Sequence, residues 1–148
     1  VRFTRFQDPV YKDSCVEFFV NPFPEKNVGY INFETNAVGT MLVAIGPGRN
    51  RRTPIPPADL EGFEIVSSIK GPISGDHGAE FWSLAYKLPL ALFEKHYGSK
   101  IMPGHVARAN FYKCGDETET PHFGAWSTVR TPQPDFHRPE FFGRLVFQ

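Results

Sequence analysis

The sequence predicts a single all-β domain, built as a two-sheet antiparallel β-sandwich with one short helix. Its 148 residues suit one domain with a sizeable core. They include 22 aromatic residues (15 Phe, 5 Tyr and 2 Trp) beside 13 Gly and 14 Pro. The aromatics provide core, and the frequent turn formers cut the chain into short segments, as antiparallel sheets require. This composition is not that of a helical bundle or of a disordered chain.

Nine segments carry the strand signature, because they are rich in Phe, Val, Ile and Tyr and are bounded by Pro, Gly, Asn or Asp. In chain order they are residues 1–6, 15–20, 29–35, 40–45, 64–69, 81–88, 106–113, 122–126 and 144–147. A short helix is predicted at 89–97, since Pro89 lies in its first turn and Gly98 follows its end. The Arg-, Pro- and Gly-rich segment 46–57 is predicted to be an exposed loop.

Period-two alternation gives three of these strands one apolar face and one face with polar groups. The apolar faces carry Val16, Phe18 and Val20, then Ile31 and Phe33, then Ala107, Ala109 and Phe111. If the three strands share a sheet, the opposite faces combine into one surface that holds Glu17, Asn32, Glu34, Arg108, Asn110 and Tyr112. Hydrogen-bonding groups beside aromatic rings suit a sugar. A solvated sheet face with a structural Arg–carboxylate pair is the alternative interpretation.

The charge balance and hydropathy exclude further classes of function. Sixteen basic residues are balanced by sixteen acidic ones. Nucleic-acid binders and electrostatic membrane anchors usually need a basic excess, so neither is expected. No apolar run approaches the roughly 18 residues that a membrane span requires.

Motifs for enzyme chemistry are missing from the sequence. There is no G-x-S-x-G, no phosphate or dinucleotide loop, and no zinc spacing such as H-E-x-x-H among the five histidines His77, His96, His105, His122 and His137. Glu17 and Glu34 could form a glycosidase pair, but the sequence does not set their separation. We therefore expect no enzyme activity.

Two smaller groups of residues leave alternatives open. Cys15 and Cys114 are either two buried free thiols or one disulfide, and they are too few for a four-ligand zinc site. The acidic run Asp116, Glu117 and Glu119 could help to hold a structural calcium ion, although an ordinary polar turn is the preferred interpretation. No other cofactor is expected.

Several blocks of sequence resemble the family 9 carbohydrate-binding modules, and most of all the family 9-like branch common in Bacteroidetes. The blocks are YKDSCVEFFVNP at 11–22, YINFETN at 30–36, WSL at 82–84, LP at 88–89, ANFYKCGD at 109–116, HFGAW at 122–126 and FHRPEFFGRL at 136–145. The resemblance implies a jelly-roll-like, immunoglobulin-like β-sandwich that binds an oligo- or polysaccharide, or its reducing end, without catalysis. It further implies a secreted, periplasmic or cell-surface protein that supports polysaccharide breakdown, and N-terminal strands preceding residue 1.

The resemblance also assigns site residues. Counting back from Val16-Glu17 and from Phe142-Gly143 places the two family rings that sandwich a sugar at Tyr11 and Phe136. Glu17 matches the acidic ligand residue of the family. Glu34 occupies the position of a family arginine. A carboxylate, which only accepts hydrogen bonds, thus replaces a guanidinium with five hydrogen-bond donors. We expect Arg108 to supply the missing donors.

The remaining aromatic residues and the competing functions complete the sequence-based hypotheses. Phe18, Phe33, Trp82, Phe111 and Trp126 are assigned to the core.

One competing function is a haem-binding electron-transfer domain, which would need Met41 or Met102 paired with a histidine. Another is a degenerate sandwich that serves as an interaction domain.

Overall fold

The computed structural model of the protein describes residues 1–71, 73 and 81–148, so His77 lies outside the described residues. The strands are β1 Cys15–Asn21, β2 Tyr30–Asn36, β3 Met41–Gly46, β4 Thr53–Pro54, β5 Glu64–Ser67, β6 Leu84–Lys87, β7 Val106–Cys114, β8 Phe123–Ala125 and β9 Gly143–Val146. The helix α1 is Ala91–Tyr97, and 3-10 helices are formed by Val10–Lys12, Pro57–Leu60 and Pro139–Phe141. Across these residues, no helix has the length and apolar character needed to cross a membrane.

The strands form two antiparallel sheets, which confirms the predicted all-β sandwich. The larger sheet has seven strands in the order β4-β3-β2-β1-β7-β8, and β9 also pairs with β7. The smaller sheet contains β5 and β6. The strands β1, β2 and β7, in which polar and apolar residues alternate, are direct neighbours. Their polar residues therefore lie on one face of the sheet, as predicted.

The inner face of the large sheet packs against the small sheet and α1. Ile31 and Phe33 of β2 lie in the buried cluster that Leu92 and Phe93 of α1 also join. Phe33 stacks on Phe63 with ring centroids 5.8 Å apart, which joins the large sheet to the chain leading into β5. This layer covers one face of the large sheet.

The outer face is also partly covered, which alternation alone does not predict. All seven residues of β2 are buried: the small sheet and α1 cover the inner face, and the C-terminal segment 126–143 folds over part of the outer face. Phe19, Tyr30, Tyr112 and Phe142 form a second buried aromatic cluster there, against which Phe136 packs. The polar residues of this face are therefore held in a largely dry environment.

The strand β7 has two different partners along one of its edges. Its first part, Val106 to Ala109, pairs with β9, and its last part, Tyr112 to Cys114, pairs with β8. Between them the Asn110 side chain replaces a strand, donating from Nδ2 to the Ser127 carbonyl at 2.8 Å and accepting the Ser127 N–H at 2.8 Å.

Three element predictions are wrong in whole or in part. Residues 1–6 form no strand, because side chains rather than a neighbouring strand hold their backbone. The Asp13 carboxylate accepts the N–H groups of Arg2 and Phe3 at 3.1 Å, and Asn36 Nδ2 donates to the Phe3 carbonyl at 2.7 Å. The predicted loop 46–57 contains the short edge strand β4, and α1 begins at Ala91 rather than at Pro89.

Two aromatic residues assigned to the core are on the surface. Trp126 is 56% exposed and Phe111 is 44% exposed, with their rings edge-to-face at 5.8 Å. Phe111 does point to the inner face, where it stacks on Phe18 at 4.8 Å and lines a pocket with Leu84 and Tyr86 of β6, so its ring is only partly covered. Trp82 is half-buried and donates from Nε1 to Ser14 Oγ at 3.1 Å, whereas Phe33 is fully buried and Phe18 half-buried as part of the same core.

We expect Gly29→Ala to destabilise the protein by roughly 2–4 kcal/mol, through left-handed strain and overpacking together. Gly29 has a φ of +96°, and a Cβ there would lie 2.2 Å from the carbonyl oxygen of Gly46. Gly98 is the matched control, because its φ is +66° but a Cβ would meet nothing within 4 Å. Urea unfolding of both variants separates the two contributions, and equal losses would contradict the contact with Gly46.

Candidate functional site

A cavity of about 320 Å³ opens on the outer face of the large sheet, where β1 begins and β7 ends. It is lined by Tyr11, Glu17, Glu34, Arg49, Asn50, Arg52, Cys114, Asp116, Phe123, Pro134, Phe136 and His137. Four of the five site residues named from the sequence are therefore brought together: Tyr11, Glu17, Glu34 and Phe136. Arg108 does not line this cavity.

Two carboxylates form the floor of the cavity. Glu17 of β1 and Glu34 of β2 are directly opposite each other in the antiparallel register. They are only 5% and 3% exposed, because the C-terminal segment covers this face. Cys114 Sγ donates to Glu17 Oε1 at 3.2 Å, and Asn32 Nδ2 donates to Glu34 Oε1 at 3.0 Å.

Burial of these two acids changes their protonation. Removal from water raises the pKa of Glu17 well above its usual range, and the neighbouring charge of Glu34 raises it further. Burial also raises the pKa of Glu34 to about 6, although the positive charges of Arg52 and Arg49 oppose this shift. At neutral pH, Glu34 is thus mainly a carboxylate paired with arginine.

The loop between β3 and β4 supplies these arginines, which the sequence analysis missed. Arg52 Nη1 lies 3.2 Å from Glu34 Oε1, and Arg49 Nη2 lies 2.8 Å from Asp135 Oδ1. Arg52 Nε also donates to the Arg49 carbonyl at 3.1 Å, which holds the loop against the cavity. The signal in the sequence was a buried carboxylate without a counter-charge on its own strand, followed along the chain by an arginine-rich turn.

Arg108 lies elsewhere on β7. Its side chain is exposed, and in the strand register it lies opposite Asn21 of β1 and Arg144 of β9. Four residues of strand separate it from Tyr112, the partner of Glu17, or roughly 13 Å at the usual rise. The donors expected from Arg108 are instead present in the cavity as Arg52 and Arg49.

Both predicted rings line the cavity. Tyr11 lies in the 3-10 helix Val10–Lys12, and its ring and that of Phe136 both pack against the buried cluster Val10, Cys15 and Cys114. Phe136 stacks on Tyr112 with centroids 4.1 Å apart and ring planes 11° apart, so one of its faces is fixed by protein. This stacking fixes the Phe136 ring at the cavity.

His137 contributes an uncharged ring to the same cavity. Burial, followed by the charges of Arg52 and Arg49, lowers its pKa to about 3. Its Nδ1 lies 2.6 Å from the hydroxyl of Tyr30, a residue whose pKa burial raises. His137 is therefore neutral across the physiological range.

The acidic run that was predicted to help hold calcium begins at the cavity. Asp116 lines the cavity, and Glu119 is exposed. Glu117 forms ion pairs with Lys12 Nζ at 2.8 Å and with Arg2 Nη1 at 3.0 Å. The calcium site stays a prediction.

Both cysteines are buried free thiols. They face each other across β1 and β7, and the ligand atoms of Cys15, Glu17 and Cys114 all lie within 4.8 Å of one another. This group lies at the base of the cavity, because Glu17 and Cys114 also line it.

The haem hypothesis named Met41 and Met102. Met41 is buried at an open depression whose described lining contains no histidine. Met102 is 62% exposed. The haem-binding alternative stays a prediction.

Comparison with known proteins gives two matches. Residues 1–147 match the family described as Carbohydrate-binding family 9. Among solved structures, the chain is similar to a candidate carbohydrate-binding protein from Bacteroides uniformis ATCC 8492, with a TM-score of 0.86 and 36% sequence identity over 97% of this chain. The chain spans 65% of that protein. No curated protein matches the sequence.

Proposed function

The chain belongs to Carbohydrate-binding family 9, and we propose that it binds a carbohydrate in the cavity formed by Tyr11, Glu17, Glu34, Arg52 and Phe136. The observation that carries the proposal is the presence of two aromatic rings and an arginine-paired carboxylate in one cavity. Sugars present both C–H faces and hydroxyl groups, and few other ligands need both kinds of contact at once.

Two kinds of contact would hold the sugar, ring stacking and hydrogen bonds. The rings of Tyr11 and Phe136 would pack on the C–H faces of a pyranose, at about 0.5–1.5 kcal/mol per ring beyond area burial. Glu17 and Glu34 would accept hydrogen bonds from hydroxyl groups, and Arg52 would donate to ring or hydroxyl oxygens. A volume of about 320 Å³ lies at the lower end of ligand cavities and suits the end of a glycan chain rather than a long stretch of it.

The arrangement favours binding without cleavage. Glycosidase carboxylates flank the scissile bond from two sides. Glu17 and Glu34 instead lie side by side on adjacent strands of one floor, and Glu34 is held by Arg52. We accordingly propose a non-catalytic role outside the cytoplasm, in support of polysaccharide breakdown by other proteins.

The direct test is calorimetry and a glycan array on the purified protein. We expect binding to an uncharged oligo- or polysaccharide with Kd roughly between 1 μM and 1 mM, that is, about 4–8 kcal/mol. Incubation with the bound glycan should release no shorter product. Absence of binding to any mono-, oligo- or polysaccharide would reject the proposal in favour of an interaction domain, and product release would make the protein an enzyme.

The contribution of Glu34 to stability should fall as pH rises from about 4.5 to about 6. The folded pKa of Glu34 is about 6 against 4.5 for the free side chain, so this acid favours folding only while it is protonated. Glu17 and Asp116 have raised pKa values and act in the same direction. His137, whose pKa is lowered from 6.5 to about 3, acts in the opposite direction below pH 6.5, and the lowered pKa values of Glu117, Asp59 and Asp135 do so below about 4.5.

Urea unfolding at pH 4.5, 5.5 and 6.5 measures this effect. Glu34 alone should contribute a loss of about 2 kcal/mol across the window. Glu34→Gln isolates this contribution, since the wild-type free energy of unfolding minus that of the variant should fall by this amount across the window. A difference that stays constant with pH would contradict the buried environment of Glu34.

A further inference from the structure

Glu17 is a buried acid without a cationic partner among the described side chains. The structure pairs Glu34 with Arg52, and the exposed Glu117 with Arg2 and Lys12, whereas Glu17 has only the Cys114 thiol as a side-chain hydrogen-bond donor. Buried carboxylates are normally paired with a cation or bound to a metal ion. Glu34 lies opposite it in the register and Asp116 lines the same cavity, whose arginines Arg52 and Arg49 contact Glu34 and Asp135 instead.

The strand geometry places two thiols beside this acid. Cys15 and Cys114 are directly opposed in the β1–β7 ladder. Glu17 follows Cys15 by two residues, and side chains two apart in a strand point to the same face. Their ligand atoms lie within 4.8 Å of one another, and Cys114 Sγ to Glu17 Oε1 is 3.2 Å.

These distances are near those of a metal centre. Bond lengths of 2.3 Å for zinc–sulfur and about 2.0–2.2 Å for zinc–oxygen place two ligands of one tetrahedral ion roughly 3.4–3.8 Å apart. Small side-chain rotations therefore bring all three atoms onto one ion. Access is available, because Cys114 and Glu17 also line the open cavity.

We propose that Cys15, Glu17 and Cys114 form a binding site for a thiophilic divalent cation of the zinc class, with the fourth position facing the cavity. Thiolate ligands select zinc-like ions over calcium and magnesium, which prefer oxygen. Binding forms two metal–sulfur bonds and one metal–oxygen bond as the two S–H groups, and the Glu17 carboxyl where it carries a proton, release their protons to solvent. The double positive charge also supplies the partner that Glu17 lacks.

A Cys15–Cys114 disulfide is the competing outcome. Directly opposed residues in antiparallel strands have Cα atoms about 4.5–5.5 Å apart, within the range that a disulfide spans. Such a bond would remove the thiol hydrogen that Glu17 accepts and leave the acid buried with no partner. The position of Glu17 therefore favours the metal.

The test is a cobalt(II) titration of the reduced, metal-free protein. We expect thiolate-to-cobalt charge-transfer absorption and tetrahedral d–d bands that saturate at one equivalent and disappear when zinc is added. Cys15→Ser and Cys114→Ser should each weaken cobalt binding by at least about 10–100-fold, the loss that outer-shell changes already cause at metal sites. Glu119→Gln, in the exposed acidic run, should bind cobalt like the wild type.

Two further measurements keep the result decisive if a cysteine variant misfolds. In the wild-type protein, zinc should slow the reaction of both thiols with a disulfide reagent, and native mass spectrometry should detect one bound zinc. An absent charge-transfer band, unchanged cobalt binding in either serine variant, or a Cys15–Cys114 disulfide in the purified protein would overturn the proposal. Sugar calorimetry in the presence of a chelator is independent, so either proposal can fail alone.

Discussion

Phe136→Ala should weaken carbohydrate binding about 30- to 100-fold. The loss combines ring stacking, about 0.5–1.5 kcal/mol, with the apolar area that the ring would bury against the sugar, about 1.5 kcal/mol or more. The effect is large because Tyr112 holds the ring in place at 4.1 Å, so little order has to be gained on binding. Calorimetry with the best glycan from the array measures it.

The matched control is Phe111→Ala. Like Phe136, Phe111 is a partly exposed phenylalanine. It lies on β7 and points to the inner face of the sheet, away from the cavity. Its removal should leave affinity unchanged, whereas Tyr11→Ala should reduce affinity like Phe136→Ala. If circular dichroism shows that both proteins are folded, equal affinities of wild type and Phe136→Ala would contradict a role for the Phe136 ring in binding.

Arg52→Ala should destabilise the protein by about 2–3 kcal/mol at pH 7.5. The change leaves the buried Glu34 carboxylate without its partner, and a buried charge left unpaired is costly. The loss stays below the range for fully buried pairs because Arg52 is 19% exposed and Glu34 can take up a proton. At pH 5, where Glu34 is already protonated, the same substitution should cost clearly less.

Urea unfolding at both pH values tests this prediction. Arg51→Ala is the control, because Arg51 is the adjacent arginine in the loop but is exposed. The double variant Arg52→Met with Glu34→Gln should recover most of the stability, since no buried charge remains. Equal losses for Arg51→Ala and Arg52→Ala, or a loss that does not depend on pH, would refute the pairing as the cause.

Alternation in the sequence was sufficient for the layout of the large sheet. It placed Glu17 and Glu34 on one face because side chains in a strand alternate wherever the strand lies. It could not predict how far the covering layer extends, so Phe111 and Trp126 were wrongly assigned to the core. Strand propensity also failed for residues 1–6, where the Asp13 carboxylate outcompetes strand pairing for the backbone N–H groups.

The cavity was predictable only in part. The positions of Tyr11 and Phe136 came from the resemblance to a known family, and both rings do line the cavity with Glu17 and Glu34. Arg52 was missed because its contact with Glu34 depends on the return of the β3–β4 loop over the sheet, which no local pattern encodes. The opposition of Cys15 and Cys114 depends on the register between strands distant in sequence.

The way β7 is flanked affects how copies of this domain behave when crowded. An unpaired strand edge can recruit a second chain, and proteins limit this with short edge strands and proline. Here β8 and β9 have three and four residues, the Asn110 amide occupies the gap between them, and the opposite edge ends in two-residue β4 with Pro54. At the edges of the large sheet, copies of this domain at high concentration would thus offer one another little backbone for edge-to-edge aggregation.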